Sequence, residues 1–254
     1  MLFYKSWLET RWRFVIGLVL LMLSAAGIVI AYPRVMKLLP LTNTVDVSGE
    51  IGRRIKEGAE LARTYRGYVW SQLRQSMTNM LTLFAVLLGA GGLLSQASGG
   101  GALFTLSLPA TRNRLLGVRA ATGLAELLGL ALVPTLLLPV LSPAVGETYG
   151  LGDALAHGAC LFIAGAVVFS LAFLLSTVFS DVWRPALIAG GAAAVLGLCE
   201  PFFPDLARYS LFGIMDGEVY FRDGGLPWLG LFASAAASAA MLYAATRNVA
   251  RQDF

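Results

Sequence analysis

Three ionisable side chains lie within or at the ends of long apolar runs: Glu126, His157 and Glu200. An ionised carboxylate is expensive in hydrocarbon, so an intramembrane acid is by default a functional candidate. Glu126 is therefore the candidate substrate-pathway or proton-carrying residue. The alternative is a hydrogen-bonded packing role, or a carboxyl kept neutral. His157 begins one apolar run and Glu200 ends another before "PFFPD", so interfacial placement accounts for both. The three can in principle form a membrane-embedded hydrolase site, though nothing in their spacing selects it.

Other catalytic signatures are missing. A single histidine rules out a multi-histidine zinc site or a bis-histidine haem supplied by this chain alone. There is no GxSxG elbow, no HExxH and no paired cysteines. Cys160 and Cys199 both fall in apolar runs and read as small core residues. The run "GAGGLLSQASGGG" follows a helical pattern rather than a strand. It lacks both GxGxxG and a Gly-Lys-Ser/Thr ending, so helix packing followed by a flexible exit describes it better than a phosphate cradle. The chain carries no recognisable machinery for hydrolysing ATP.

The elements that hold these residues follow from composition. Of the 254 residues, 57% are hydrophobic and only 13% charged, against about 25% charged in a soluble domain. Several apolar stretches reach the roughly 18 to 20 residues that cross a bilayer as a helix. The expected fold is an all-α polytopic membrane protein. It is a six-transmembrane-helix bundle with an amino-terminal interfacial helix and an extended, partly helical first external loop. The expected spans are about 15–32, 77–94, 120–141, 154–179, 185–203 and 227–246. Small-residue stretches such as "IAGGAAAVLG" and "FASAAASAA" suit close helix packing in lipid.

Before the first span, "FYKSWLETRWRF" alternates aromatics with Lys5, Arg11 and Arg13, as an interfacial helix does. The apolar run after it is longer than a signal-peptide core of about 7–15 residues, which favours a retained span over a cleaved leader. Within the external loop 33–76, Ser48 can cap a helix. Ile51, Ile55, Ala59, Ala62, Val69 and Leu73 follow at helical spacing. That segment reads as an amphipathic helix against the membrane or neighbouring spans.

Orientation follows from basic residues near the span ends. With the amino terminus inside, Lys5, Arg11, Arg13, Arg112, Arg114, Arg119, Arg184, Arg247 and Arg251 are cytoplasmic, against none in the third loop and Arg208 and Arg222 in the fifth. The basic residues of the first loop run against the rule, but they lie in a long segment and include acidic neighbours. Both termini are expected in the cytoplasm, in the cell's inner (plasma) membrane. The net charge of +4 is then loop charge facing lipid headgroups rather than a nucleic-acid footprint.

On this topology "GGALFTLSLPATRNRLLGVRAA", Gly100 to Ala121, faces the cytoplasm. Leu103, Leu106, Leu108 and Leu115 can bury one side of a short interfacial helix, Pro109 fixes a bend, and Arg112 and Arg114 reach polar surfaces. An ordinary basic loop is the plainer alternative. The core Leu106, Ser107, Leu108, Pro109, followed by Ala110, Thr111 and Arg112, resembles the cytoplasmic coupling segment of permease subunits of type-2 ATP-binding-cassette (ABC) transporters. The basic aromatic amino end, "FLLSTVFSDVWRPALIAG" and the tail "RNVARQDF" are similar to other parts of that family, so the match in organisation covers nearly the whole chain. Gln96, Ala97 and Ser98 stand where the family often has a glutamate, and Gly100, Gly101 and Ala102 where Gly-Thr-Leu is usual.

The resemblance implies a single permease domain over 1–254, with a coupling segment at 99–117. It implies a second permease subunit, as a homodimer, and separate ABC ATPase subunits that bind ATP and Mg; no cofactor is expected in this chain. Leu106, Pro109, Thr111 and Arg112 would contact the ATPase, with Asp181 and Arg184 as a second contact. The implied function is an exporter subunit. The alternative is a stand-alone intramembrane enzyme using Glu126, His157 and Glu200. A secondary carrier is a third possibility, without a convincing internal repeat or matching broken helices behind it.

Overall fold

The computed structural model describes residues 2–42, 60–91, 112–179, 181, 183–200, 210–223 and 225–250. Among them the regular structure is helical. Six long helices carry the fold: α1 (Leu2–Thr42), α2 (Tyr65–Gly89), α3 (Arg112–Leu141), α4 (Leu151–Ser176), α5 (Trp183–Cys199) and, after two short ones, α8 (Trp228–Ala250). The short helices α6 (Leu211–Met215) and α7 (Glu218–Asp223) lie between α5 and α8. Four of these, α1, α3, α4 and α8, are long and apolar enough to cross a membrane, and the chain is a membrane protein. Side chains such as Leu23, Ile30, Leu187, Leu198 and Phe232 stand outward and exposed, as a lipid-facing belt requires.

The bundle is built around α4, which touches α2, α3, α5, α6 and α8. Glycines and alanines let the neighbouring backbones come close. A Cβ on Gly89 of α2 would lie 2.5 Å from the Phe169 carbonyl oxygen of α4, and one on Gly123 of α3 would lie 2.6 Å from the Phe169 ring. Gly158 of α4 meets Leu132 and Thr135 of α3 in the same way. Lipid supplies no hydrophobic drive between helices, so this close packing supplies dispersion contacts instead.

The amino-terminal segment is not a separate interfacial helix. It forms the first turns of α1, a single helix of 41 residues that also runs past the expected end of the first span. The reason is a continuous inward stripe: Ser6, Thr10, Gly17, Leu21, Ala25, Ile28 and Tyr32 are all buried at helical spacing. Helix α2 begins well before the expected second span. Thr64 accepts a hydrogen bond from the Gly67 amide at 3.2 Å, capping α2 twelve residues before Met77. Val69 and Leu73 are buried as their spacing implies, but in α2 rather than in a loop helix. Ser48, Ile51 and Ile55 lie outside the described residues. Cys160 is buried, whereas Cys199 is exposed rather than in the core; both are free.

At the end of the bundle away from the amino terminus, Tyr32, Tyr65, Tyr68 and Tyr149 cluster. The Tyr65 hydroxyl pairs with that of Ser142 at 2.7 Å, and the Tyr68 hydroxyl donates to the Ile28 carbonyl at 3.1 Å. These bonds tie α1, α2 and the end of α3 together while satisfying buried hydroxyls. Replacing Gly89 by valine would drive a side chain into the α4 backbone, with an expected cost of about 1–3 kcal/mol. A lower unfolding midpoint of the purified protein in detergent is the expected result; an unchanged midpoint would show that the α2–α4 contact does not limit stability.

Candidate functional site

Two of the polar clusters among the described residues join the long helices most closely. The first is where α1, α2 and α3 meet near the amino terminus. Arg13 of α1 donates to the Leu87 carbonyl at 2.7 Å, placing a cation on the carbonyl end of α2, where the helix dipole favours it. Arg119 of α3 pairs with Glu9 at 2.9 Å. A Cβ on Gly91 would lie 2.5 Å from Arg119 Nη2 and 3.3 Å from Arg13 Nη1, so both guanidinium groups crowd this helix end.

Glu126 belongs to this place. It is buried, and its Oε1 accepts a hydrogen bond from the Thr10 hydroxyl at 2.5 Å. Its Oε2 and the Arg119 Nε are buried without a hydrogen-bond partner. The Glu126 side chain thus links α3 to α1 beside Arg13 and Arg119.

The same end collects other parts of the chain. Asn248 of α8 donates to the Thr177 carbonyl and hydroxyl beyond α4, at 3.2 and 3.0 Å. Trp183 of α5 and Leu87 of α2 line one cleft. The start of α1, the end of α2, the start of α3, the end of α4, the start of α5 and the end of α8 therefore share one end of the bundle. Leu106, Pro109 and Thr111 lie outside the described residues, and Arg112 is the first residue of α3. Asp181 and Arg184 sit at the start of α5. The Arg184 amide donates to Asp181 Oδ1 at 2.8 Å and the two side chains pair at 3.1 Å, an exposed helix cap.

The second place is a cleft of about 1050 Å³ between α2 and α5. On α2, Ser71, Arg74, Gln75, Thr78, Asn79 and Thr82 face it at helical spacing. Along the middle of α5 small residues face it, among them Gly190, Gly191, Ala193, Ala194 and Gly197, with Trp183, Leu187 and Leu198 also in the lining. A Cβ on Gly190 or Gly191 would meet nothing within 4 Å, so the missing side chains are what leaves the cleft open. The polar face also explains why α2, at 25 residues, falls short of the apolarity of the four membrane-crossing helices.

Asp216, between α6 and α7, closes one end of this cleft. Its Oδ1 accepts from the Thr78 hydroxyl at 2.6 Å and its Oδ2 pairs with Arg74 Nε at 3.0 Å. Its carbonyl accepts from Trp70 Nε1 at 2.9 Å. Gly217 turns the chain there with φ of 64°, a left-handed conformation that favours glycine. Trp70 stacks on Phe221 with 4.5 Å between centroids. Nearby, Glu200 accepts from the Ser210 hydroxyl at 2.7 Å, while Ser210 caps α6 through the Gly213 amide.

Of the three ionisable residues singled out in the sequence, His157 and Glu200 both border Asp216, while Glu126 makes its contacts with α1 and with Arg119. His157 is buried with Nε2 unpartnered, away from the cleft lining. Asp216 and the α2 stripe were missed in the sequence. The available signal was the recurrence of hydroxyl and amide side chains from Ser71 to Thr82 every three or four residues.

Burial pushes the Asp216 carboxyl up to about 7, helped by Glu200 and Glu218 and opposed by the Thr78 hydrogen bond and Arg74. Between its ordinary value of about 4 and about 7, the folded protein holds this proton more tightly than the unfolded chain. This group's contribution to stability therefore falls as pH rises through that window and is level above it. Subtracting the unfolding midpoints of Asp216→Asn from those of the wild type across pH 4–8 is expected to show that decline; a flat or rising difference would refute it. No protein-family model, curated protein or solved structure matches this chain.

Proposed function

We propose that this chain is the membrane-spanning subunit of a type-2 ABC exporter, with α1, α2, α3, α4, α5 and α8 as its six spans. The observation that carries this is the cleft between α2 and α5. An outward-facing row of hydroxyl and amide groups, in a bundle otherwise faced with apolar side chains, needs either water or a partner beside it. That suits a route for a passing molecule, whose lateral wall a second copy of the chain would complete. α2 rises roughly 37 Å over its 25 residues, long enough to cross despite its polar face. α5 rises roughly 25 Å over 17 residues, and Trp183 and Arg184 at one end with Glu200 at the other suit anchoring at the two interfaces.

The sharing of one bundle end by both termini supports a cytoplasmic location for each in the plasma membrane. Lys5, Arg11, Arg13 and Arg247 lie at that end, as the positive-inside rule requires. The segment 99–117, whose last residues are the first turns of α3, takes the coupling role. Leu106, Pro109, Thr111 and Arg112 contact a separate ATPase subunit, with Asp181 and Arg184 beside them. ATP and Mg are bound by that partner. Its cycle enters the bundle at the junction of α2 and α3, where Arg13, Arg119 and Glu126 lock both helices to α1.

The test is co-expression with a candidate ATPase encoded beside this chain. A stable complex with ATPase activity is expected for the wild type. Replacing Pro109 and Arg112 together by alanine is expected to lose the ATPase, or to uncouple transport, while the protein still inserts. Normal co-purification and transport by the double variant would remove these residues from the contact. Enzymatic activity of the chain alone, lost on Glu126→Gln, would favour the intramembrane enzyme instead.

A further inference from the structure

The α2–α5 cleft is graded along its length. The two helices run antiparallel across it: Arg74 lies towards Glu200 and Asp216, and Leu87 lies towards Trp183. At the first end the lining is charged. Gln75, Thr78 and Asn79 continue it with uncharged polar groups. At the other end Leu83, Val86, Leu87, Trp183 and Leu187 are entirely apolar. From Arg74 to Leu87 the cleft follows roughly 20 Å of helix, more than half of a bilayer core about 30 Å thick. A wholly polar solute would leave the lower part without favourable contacts, and a wholly apolar one would strip the upper part of water.

Among the described residues, the charges lining the polar end, Arg74, Glu200 and Asp216, do not cancel. Above about pH 7, where Asp216 is ionised, it and Arg74 neutralise one another in their 3.0 Å pair. Glu200 has only a hydroxyl, that of Ser210, as its hydrogen-bond partner among the described residues, and a hydroxyl supplies no positive charge. A net negative end, framed by low-dielectric walls, favours a cation. The room for a tail comes from Gly190 and Gly191, beside which a side chain would meet nothing.

Resting on the transport role proposed above, we infer that the cleft takes an amphiphilic cation, with its charged head beside Glu200 and its apolar tail along Leu83, Leu87, Trp183 and Leu187. In the proposed topology the polar end of α2 is the outer one, so the bound molecule has the orientation of an outer-leaflet lipid. Gln75 and Asn79 then meet the polar linkage between head and tail.

The test uses the full chain in lipid nanodiscs and two photoactivatable probes with the same dodecyl tail, one ending in trimethylammonium and one in sulfate. Adducts are mapped by mass spectrometry. The ammonium probe is expected to label residues 83–87 and 183–187 about tenfold more than the sulfate probe, the ratio expected for one charge-assisted contact. Glu200→Gln should bring the two probes level, Glu200→Asp should restore the preference, and Gly191→Trp should remove labelling by both. Equal labelling of the wild type, or a preference unchanged in Glu200→Gln, would overturn the inference. So would absence of labelling with Gly191→Cys cross-linking to a second copy, which would make this face a subunit interface. ATPase co-purification is measured on the same preparation. A bound ATPase without a cation preference removes this inference and leaves the transport role. A cation preference with no ATPase partner removes the transport role and leaves a binding cleft.

Discussion

Close approach of helix backbones to α4 is the constraint on which the rest of the structure depends. In water, an amphipathic helix is driven to its neighbours by burial of apolar area; in lipid that drive is absent, and contact must be gained by fit. Gly89, Gly123 and Gly158 supply it, each standing where a side chain would collide with the neighbouring helix. Phe169 fills the space between α2 and α3 that these glycines define. With α4 clasped on several sides, α5 is left at the periphery, touching α4 and α2 along one edge and exposing Leu187, Val195 and Leu198. The cleft is the gap left by this arrangement: α2 is held by α4, and α5 offers glycine where it would need bulk to close against α2.

The polar groups are sorted by the same geometry. Near the amino terminus, Glu9, Arg13, Arg119 and Glu126 balance in sign and join three helices at the carbonyl end of α2. At the polar end of the cleft, Asp216 is held by three neighbours on α2: Thr78, Arg74 and Trp70. Buried charges of this kind are stable only when the surrounding groups satisfy them, so each cluster fixes the helices that contribute to it. In the proposed exporter, one cluster sits beside the ATPase contact and the other beside the substrate. α2 runs between them, its carbonyl end held by Arg13 and its polar face open to the cleft. Movement at one end of α2 would therefore be felt at the other, because the helix is the shared rigid element.

How much was legible in the sequence differs by residue. Long apolar runs reported the cores of α1, α3, α4 and α8 directly, because hydrocarbon demands such runs whatever the neighbours are. The amphipathic start of α1 and the early start of α2 were not legible as they stand. Ser6 and Thr10 look like surface residues of a short interfacial helix until α3 is placed against them. Val69 and Leu73 carry the right spacing, but spacing alone does not say whether a helix lies along the membrane or enters the bundle. Cys199 sits in an apolar run and yet is exposed, since such a run in lipid has no solvent side to distinguish.

The sequence alone determined the class of the protein: an all-helical membrane chain whose apolar runs are too long and too numerous to be dissolved in water. It also determined the absence of a nucleotide-hydrolysing motif, since that chemistry needs particular residues at particular spacings. The tertiary structure alone decided what the buried charges meet. Glu126 reads from sequence as the intramembrane acid of interest, but the fold sets it between Thr10 and the arginines as a tie between helices. Asp216 reads as one acid in an ordinary loop, but α6 and α7 fold it onto α2 beside the open cleft. Periodicity specifies which face of a helix is polar; only the packing of other helices specifies what that face meets.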